Sequence, residues 1–269
     1  MNLRLFLSDV DGTLVRPDKS LGAPVVAAIQ RLVAAGVPVS IISARPPSGL
    51  LWIAERLGLT TPIGAFNGGT IVRPDGTVLS ATHLDPAVAA RTLALVERPD
   101  VIRWVFAKGQ WHADRLDDHY TPRECVTSAQ DPVVCSDFGP LLDAIDKIVA
   151  VSSDHEMLAG LEADVAAALG DGAEVARSQP YYLDVTAPSA NKGDGIAALA
   201  ATLDVPLCDV AVIGDQYNDL PMFRRAGLSI AMGQGPEDVR RAAMHVTGGN
   251  DADGVAQAIE TILLPLLKV

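Results

Sequence analysis

Short apolar runs break into polar loops, and each loop leads into a segment of helical spacing closed by glycine; this rhythm constrains the chain more than any other feature. Residues 3–8 form the first run and end in Asp9-Val10-Asp11-Gly12-Thr13. Residues 22–35 then place apolar side chains at helical intervals and stop at Gly36, where a helix C-terminus favours glycine. Residues 37–42 are a second run, β-branched and apolar on both faces, ending in Ser43-Ala44-Arg45. A helix over 46–57 closed by Gly58 and a third run at 63–66 before Asn67-Gly68-Gly69 complete a β-α-β-α-β order. Such an order predicts a parallel sheet with right-handed crossovers.

The rhythm changes after residue 69. Residues 70–72 and 77–79 flank Pro74-Asp75-Gly76 and read as a hairpin, and a different module begins near His83. Within it the pattern predicts a helix at 86–97, strands at 102–107 and 111–114, and an irregular stretch from 120 to 140. A strand at 147–152, a helix at 155–169 and strands at 174–178 and 181–186 complete an α+β unit. After Pro188 the first rhythm returns: helix 192–203, strand 210–213, the turn Gly214-Asp215-Gln216-Tyr217-Asn218-Asp219, helix 220–226, strand 228–231, helix 236–243 and a last helix from 252. The expected organisation is a doubly wound core from 1–82 and 189–269, interrupted by an inserted unit at 83–188.

Composition narrows the function classes. A formal net charge of −12 lacks the basic footprint that nucleic acid or an anionic membrane requires. Hydrophobic residues at 49% supply a sizeable core, yet no run of about 20 apolar residues is present, so no membrane helix is expected. The three cysteines, Cys125, Cys135 and Cys208, form no CxxC pair and resemble no secreted disulfide framework, which favours a reducing, cytoplasmic setting. An anionic substrate would need a locally attractive site on so acidic a chain.

Four polar clusters stand where strands end or helices begin: Asp9 to Thr13, Ser43 to Arg45, Asn191-Lys192, and Gly214-Asp215 through Asn218-Asp219. In an open parallel sheet these positions converge on one crevice. Phosphoryl transfer needs an in-line nucleophile, cations on the equatorial oxygens and a proton donor for the leaving group. Asp9 is a candidate nucleophile, because a carboxylate needs no activating base at neutral pH. Asp11 is the candidate acid and base, Gly12 permits a sharp turn, and Thr13 offers a hydroxyl to the same loop. Carboxylates from Asp9, Asp11, Asp215 and Asp219 brought together repel one another unless a cation joins them. An all-oxygen set favours Mg2+. Lys192 adds a positive charge, and Ser43 with the N–H of Ala44 can hold phosphate.

These motifs, Asp-Val-Asp-Gly-Thr-Leu, a serine at the second strand end, Lys192 and Gly-Asp-x-x-Asn-Asp, resemble the haloacid dehalogenase superfamily, and the whole chain is most similar to its Cof-type phosphatases. Phe66-Asn67-Gly68-Gly69, Ala231-Met232-Gly233 and Asp253-Gly254-Val255-Ala256 extend the resemblance. It implies a Rossmann-like core with a large α/β cap at 83–188 closing over the crevice. It further implies Asp9 as nucleophile and magnesium ligand, Asp11 as acid and base that also ligates through its main-chain carbonyl, and Asp215 as third ligand. Ser43, Ala44 and Lys192 would hold phosphate, Asn218 would lie near metal or phosphate, and Gly12, Thr13, Arg45, Asn67, Gly68 and Asp219 would support the site. Two departures stand out: Ser43-Ala44-Arg45 replaces the commoner Thr-Gly-Arg, and Gln234-Gly235 stands where Asn-Ala is usual, outside the core motifs.

Each residue also has a plainer explanation. Asp11-Gly12 alone reads as a turn, Lys192 alone as a solvated lysine at a helix start, and Arg45 as the partner of a core carboxylate. Their occurrence together and in order favours chemistry. His112 and His119 near Asp114 and Asp117 lack a third nitrogen or sulfur ligand and read as half-exposed strand and loop residues. The expected function is hydrolysis of a small phosphorylated metabolite, a sugar phosphate or phosphorylated cofactor. A phosphotransferase or phosphomutase, or a non-catalytic sensor of phosphate ligands, are the competing functions; GxGxxG is missing after the first strand, against a dinucleotide enzyme. Neither the substrate nor the oligomeric state is written in these motifs.

Overall fold

The structure, a computed structural model, describes residues 2–267, so the outermost positions of the expected core segments 1–82 and 189–269 lie outside the described residues. It opens with β1 (Leu5–Ser8), α1 (Ala23–Ala34), β2 (Val39–Ile41), α2 (Ser48–Leu57) and β3 (Ile63–Ala65). The hairpin follows as β4 (Thr70–Val72) and β5 (Val78–Ala81). The insertion contributes α3 (Pro86–Leu95), β6 (Ile102–Ala107), β7 (Gln110–Ala113), α4 (Thr121–Ser128), β8 (Val133–Val134), β9 (Ile145–Val151), α5 (His155–Leu169), β10 (Glu174–Gln179) and β11 (Tyr182–Thr186). The chain then returns through α6 (Lys192–Thr202), β12 (Val210–Gly214), α7 (Leu220–Arg225), β13 (Leu228–Ala231), α8 (Glu237–Ala242), β14 (His245–Val246) and α9 (Gly254–Ala258).

The core sheet has five strands in the order β14-β13-β12-β1-β2, all parallel. Its strands alternate between two buried faces. Phe6, Ala211 and Ile213 pack with α1, α2 and α9, whereas Leu5, Leu7, Val210 and Val212 pack with Ile196 and Leu199 of α6 and with Met222 and Phe223 of α7. Burial on both faces explains why these runs are mostly apolar, with Ser8, Ser40 and Ser229 as small buried exceptions. β3 touches this sheet through a single parallel bridge, Ile42 to Gly64, and turns into an antiparallel ribbon with β4 and β5. The sequence rhythm placed it as a full third strand; the hairpin that follows claims its other edge.

The cap sheet has six strands in the order β10-β11-β9-β6-β7-β8. One face, with Val105, Ile148, Leu183 and Val185, is covered by Leu93 of α3 and by Leu158, Leu161 and Val165 of α5. Trp104, Phe106, Trp111, Val149 and Tyr182 on the other face join the apolar cluster of the core. This fold is a doubly wound α/β core with an α+β cap. The stretch expected to be irregular holds α4, whose start is fixed by Asp118: its carboxylate accepts from the N–H groups of Tyr120 (2.6 Å) and Thr121 (2.7 Å), ahead of Pro122. α4 was missed because Thr-Pro-Arg-Glu-Cys-Val-Thr-Ser carries too few apolar residues to show a period. No described helix is long and apolar enough to cross a membrane.

Candidate active site

β1 pairs with β12 on one side and β2 on the other, so the loops after these three strands emerge side by side at their carboxyl ends. Asp9 leaves β1 with its N–H donating to the carbonyl of Ile213 (3.0 Å), and Asp215 leaves β12 directly opposite. Gly12 sits at φ +83°, and a Cβ there would overlap the Asp215 carboxylate. Glycine thus lets the two acidic loops touch. Thr13 Oγ1 donates to Asp215 Oδ1 (3.0 Å) and Gln216 Nε2 to Asp215 Oδ2 (3.2 Å), which fixes the orientation of that carboxylate.

Lys192 is the first residue of α6, whose N-cap is Asn191 (Oδ1 accepts from Asp194 N–H, 3.0 Å). Its side chain is 1% exposed. The ammonium donates to Asp9 Oδ1 and to Asp219 Oδ1, both at 2.5 Å. Asp219 Oδ2 accepts from the N–H groups of Asp215 (2.7 Å) and Gln216 (2.9 Å), so both of its oxygens are committed. Burial disfavours the charge on Lys192, but Asp219 and Asp9 outweigh it and hold the ammonium protonated well above its ordinary value. Burial raises the proton affinity of Asp9 strongly; Lys192 opposes that, and Asp219 and Asp215 reinforce it. Burial and then Asp219 push Asp215 up to about 6.

One carboxylate oxygen from each of Asp9, Asp215 and Asp219 lies within 4.8 Å of the others. Three buried carboxylates face one ammonium, leaving two formal negative charges uncompensated, the amount a divalent cation supplies. An oxygen-only donor set fits Mg2+. Asp219 accepts three hydrogen bonds, against two for Asp215 and one for Asp9, so Asp9 and Asp215 are the carboxylates most open to an ion.

Asp11 reaches the cleft and is gripped by two cations. Arg45 donates through Nε (2.6 Å) and Nη2 (2.8 Å), and Lys19 through Nζ (2.6 Å). Burial opposes ionisation of Asp11, yet the hydrogen bonds and charges of Arg45 and Lys19 hold its carboxyl well below the usual range. Arg45, itself 3% exposed, also donates from Nη1 to the carbonyls of Gly49 (3.2 Å) and Thr127 (3.4 Å), tying the Asp11 loop to the cap. Ser43 Oγ accepts from the N–H of Arg45 (3.2 Å).

Of the residues singled out in the sequence, Asp9, Asp11, Ser43, Ala44, Arg45, Asp215 and Asn218 line one cleft. Lys192 and Asp219 lie immediately behind it, and Gly12 and Thr13 shape its floor. Asn67 and Gly68 stand further back: Asn67 Oδ1 accepts from Asn218 Nδ2 (3.4 Å), and Gly68 abuts Gly195 of α6. Sequence reading missed Lys19, and in the cap it missed Glu124 and Lys147, which line the opposite wall with Tyr182. The Gln234 departure also reaches further than its position suggested, since its amide donates to the carbonyl of Gly12 (2.5 Å).

Comparison with known proteins bears on fold and family. A family model described as haloacid dehalogenase-like hydrolase matches residues 6–259. An HMP-PP phosphatase of Cronobacter sakazakii is 29% identical over 230 residues, covering 86% of this chain and 84% of that one. The 5-amino-6-(5-phospho-D-ribitylamino)uracil phosphatase of Bacillus subtilis is 27% identical over 267 residues, covering 95% and 96%. The crystal structure of a haloacid dehalogenase-like hydrolase from Bacteroides thetaiotaomicron superposes with a TM-score of 0.86 at 26% identity, over 97% of this chain and 99% of that one. The match over residues 6–259 and these relatives, together with the parallel core and inserted cap, place the chain in the haloacid dehalogenase-like hydrolase family, in its Cof-type branch.

Proposed function

We propose that this chain is a Mg2+-dependent phosphatase that hydrolyses a small phosphomonoester through an aspartyl-phosphate on Asp9. The observation that carries it is the buried trio of Asp9, Asp215 and Asp219 set against the single ammonium of Lys192. A non-catalytic binding site has no need of so costly a concentration of like charge. The names of the Cronobacter and Bacillus relatives, phosphatases of phosphorylated organic metabolites, support a small-molecule substrate.

In the first half-reaction an Asp9 oxygen attacks phosphorus as the ester P–O bond breaks, and Asp11 gives a proton to the departing alkoxide. In the second, water attacks the same phosphorus, Asp11 takes the proton, and the bond to Asp9 breaks to release inorganic phosphate. Lys192, Ser43 and the N–H of Ala44 hold the phosphoryl oxygens, with Asn218 beside them and Asp219 holding Lys192 in place. Mg2+, held by Asp9, the main-chain carbonyl of Asp11 and Asp215, would supply positive charge to the phosphoryl oxygens. Arg45 and Lys19 keep Asp11 ionised, the form that takes a proton from water. A phosphoryl oxygen entering beside them competes for both cations and raises the proton affinity of Asp11 toward the donor form. We assign residues 83–188 as the cap that supplies specificity, and 1–82 with 189–269 as the core that recognises phosphate.

Phosphate release from a panel of esters tests this assignment. Turnover should require Mg2+ and fall by a thousandfold or more, on the order of nucleophile removal elsewhere, in Asp9→Asn. Retention of full activity by that variant would refute the nucleophile.

A further inference from the structure

The cap wall of the cleft carries polar groups that the fold leaves without partners. Glu124 on α4 is 7% exposed and lines the cleft opposite Asp9 and Asp11. Among the described residues nothing hydrogen-bonds its carboxylate, and no cation lies within salt-bridge distance of it. Beside it the hydroxyl of Tyr182 and the indole N–H of Trp104 are buried with no partner, on side chains that line the same wall. Buried polar groups are normally satisfied, so an unmet set on the wall of an enzyme cleft marks capacity reserved for a ligand.

Each cation on this wall already has an internal contact. Lys147 donates to the carbonyl of Ala44 (3.1 Å), stands 3.7 Å from Asp184 and lies over the rings of Phe106 and Phe66. Arg123 donates to the hydroxyl of Tyr181 (2.6 Å) at the rim. Burial, only partly offset by Lys147, raises the Glu124 carboxyl to about 7, in keeping with a group that lacks any donor of its own.

We propose that Glu124, with the Tyr182 hydroxyl and the Trp104 indole N–H, forms the leaving-group subsite and selects phosphomonoesters whose organic part is uncharged or cationic and bears hydroxyl or amino groups. Esters carrying a carboxylate or a second phosphate are disfavoured. A hydroxyl both donates to Glu124 and accepts from Tyr182 or Trp104, satisfying all three groups, and an amine donates to Glu124. An additional anion would meet a partnerless carboxylate, with the Asp11 carboxylate lining the same cleft. This specificity rests on the proposed phosphatase function of the same cleft.

Two matched pairs test it: glycerol 3-phosphate against 3-phosphoglycerate, and fructose 6-phosphate against fructose 1,6-bisphosphate, with p-nitrophenyl phosphate as a generic ester. With Mg2+ present, wild type should favour the less anionic member of each pair by about tenfold or more in kcat/KM, the scale of one charged hydrogen bond. Glu124→Gln should shrink that ratio about tenfold. Tyr182→Phe should lower kcat/KM for the hydroxylated esters while leaving the ratio within about twofold. Equal or reversed preference in wild type, or an unchanged ratio in Glu124→Gln, overturns the subsite alone. Failure of wild type to release phosphate from every ester overturns the phosphatase function and the subsite with it.

Discussion

On the core side of the cleft each charged atom is held by another part of the fold: Lys192 by two carboxylates, Asp219 by an ammonium and two N–H groups, Asp215 by Thr13 and Gln216. On the cap side Glu124, Tyr182 and Trp104 have no such partners among the described residues. A phosphoryl group is the same in every phosphomonoester, so the groups that meet it can be fixed in advance by internal bonds. The organic remainder differs between substrates, and its wall keeps donors and acceptors free. If this contrast is right, substitutions on the core wall disturb folding as well as chemistry, and substitutions on the cap wall change selectivity with little effect on folding.

The largest expected effect on folding comes from Lys192→Met, which leaves Asp9 and Asp219 buried without their ammonium. Denaturant unfolding in the presence of chelator should show a loss of about 3 kcal/mol. A change below about 1 kcal/mol would mean that the core wall is less tightly coupled than its hydrogen bonds indicate.

Asp215→Asn should act in the opposite direction. The folded chain holds the Asp215 carboxyl at about 6 against an ordinary value of 3.8, so between these limits the native state binds more protons than the unfolded state. Metal-free stability contributed by this group therefore falls as pH rises through that window, and the penalty is complete above it. Asn removes the penalty: at pH above about 7 the metal-free variant should gain on the order of 2 kcal/mol and lose its thermal response to Mg2+. Asp11 does not obscure the test, because its lowered proton affinity contributes stability that is lost only as pH falls below the usual carboxylate range.

Gly49→Ala probes the junction between the walls. A Cβ at Gly49 would overlap the carbonyl oxygen of Thr127, while Ser48 donates to the carbonyl of Ser128 (2.6 Å) and Gln130 to Ser48 (2.9 Å) across the same contact. Displacing α4 moves Glu124 and the Arg45 bridge, so kcat/KM should fall about tenfold, while in the first turn of α2 Ala is favoured over Gly by at most about 1 kcal/mol. The smallest effect belongs to Tyr182→Phe, whose lost hydroxyl has no partner. Thermal unfolding should show stability unchanged or raised by at most about 1 kcal/mol, the reverse of Lys192→Met.

How far the sequence reaches follows the same division. Asp9, Ser43, Lys192 and Asp215 were legible because each ends a buried strand or begins a helix, and a parallel sheet brings such positions together without side-chain detail. Glu124 and Lys147 were not, since their place depends on how the cap docks on residues 44–49, far away in sequence. α4 could have been found from Asp118 capping a Thr-Pro-Arg-Glu start; without apolar periodicity the signal was too local to outweigh the surrounding prolines. The contact of Gln234 with Gly12 arises from the loop after β13 folding back over the first, which no local pattern encodes.

The central claim is that Asp9 carries the phosphoryl group. Acid quenching the protein during turnover with Mg2+ and an ester substrate, then mapping peptides by mass spectrometry, reads this directly. One phosphoryl group on the peptide that contains Asp9, missing from Asp9→Asn, is the expected result; a phosphoryl group on another residue, or undiminished turnover by Asp9→Asn, would contradict it.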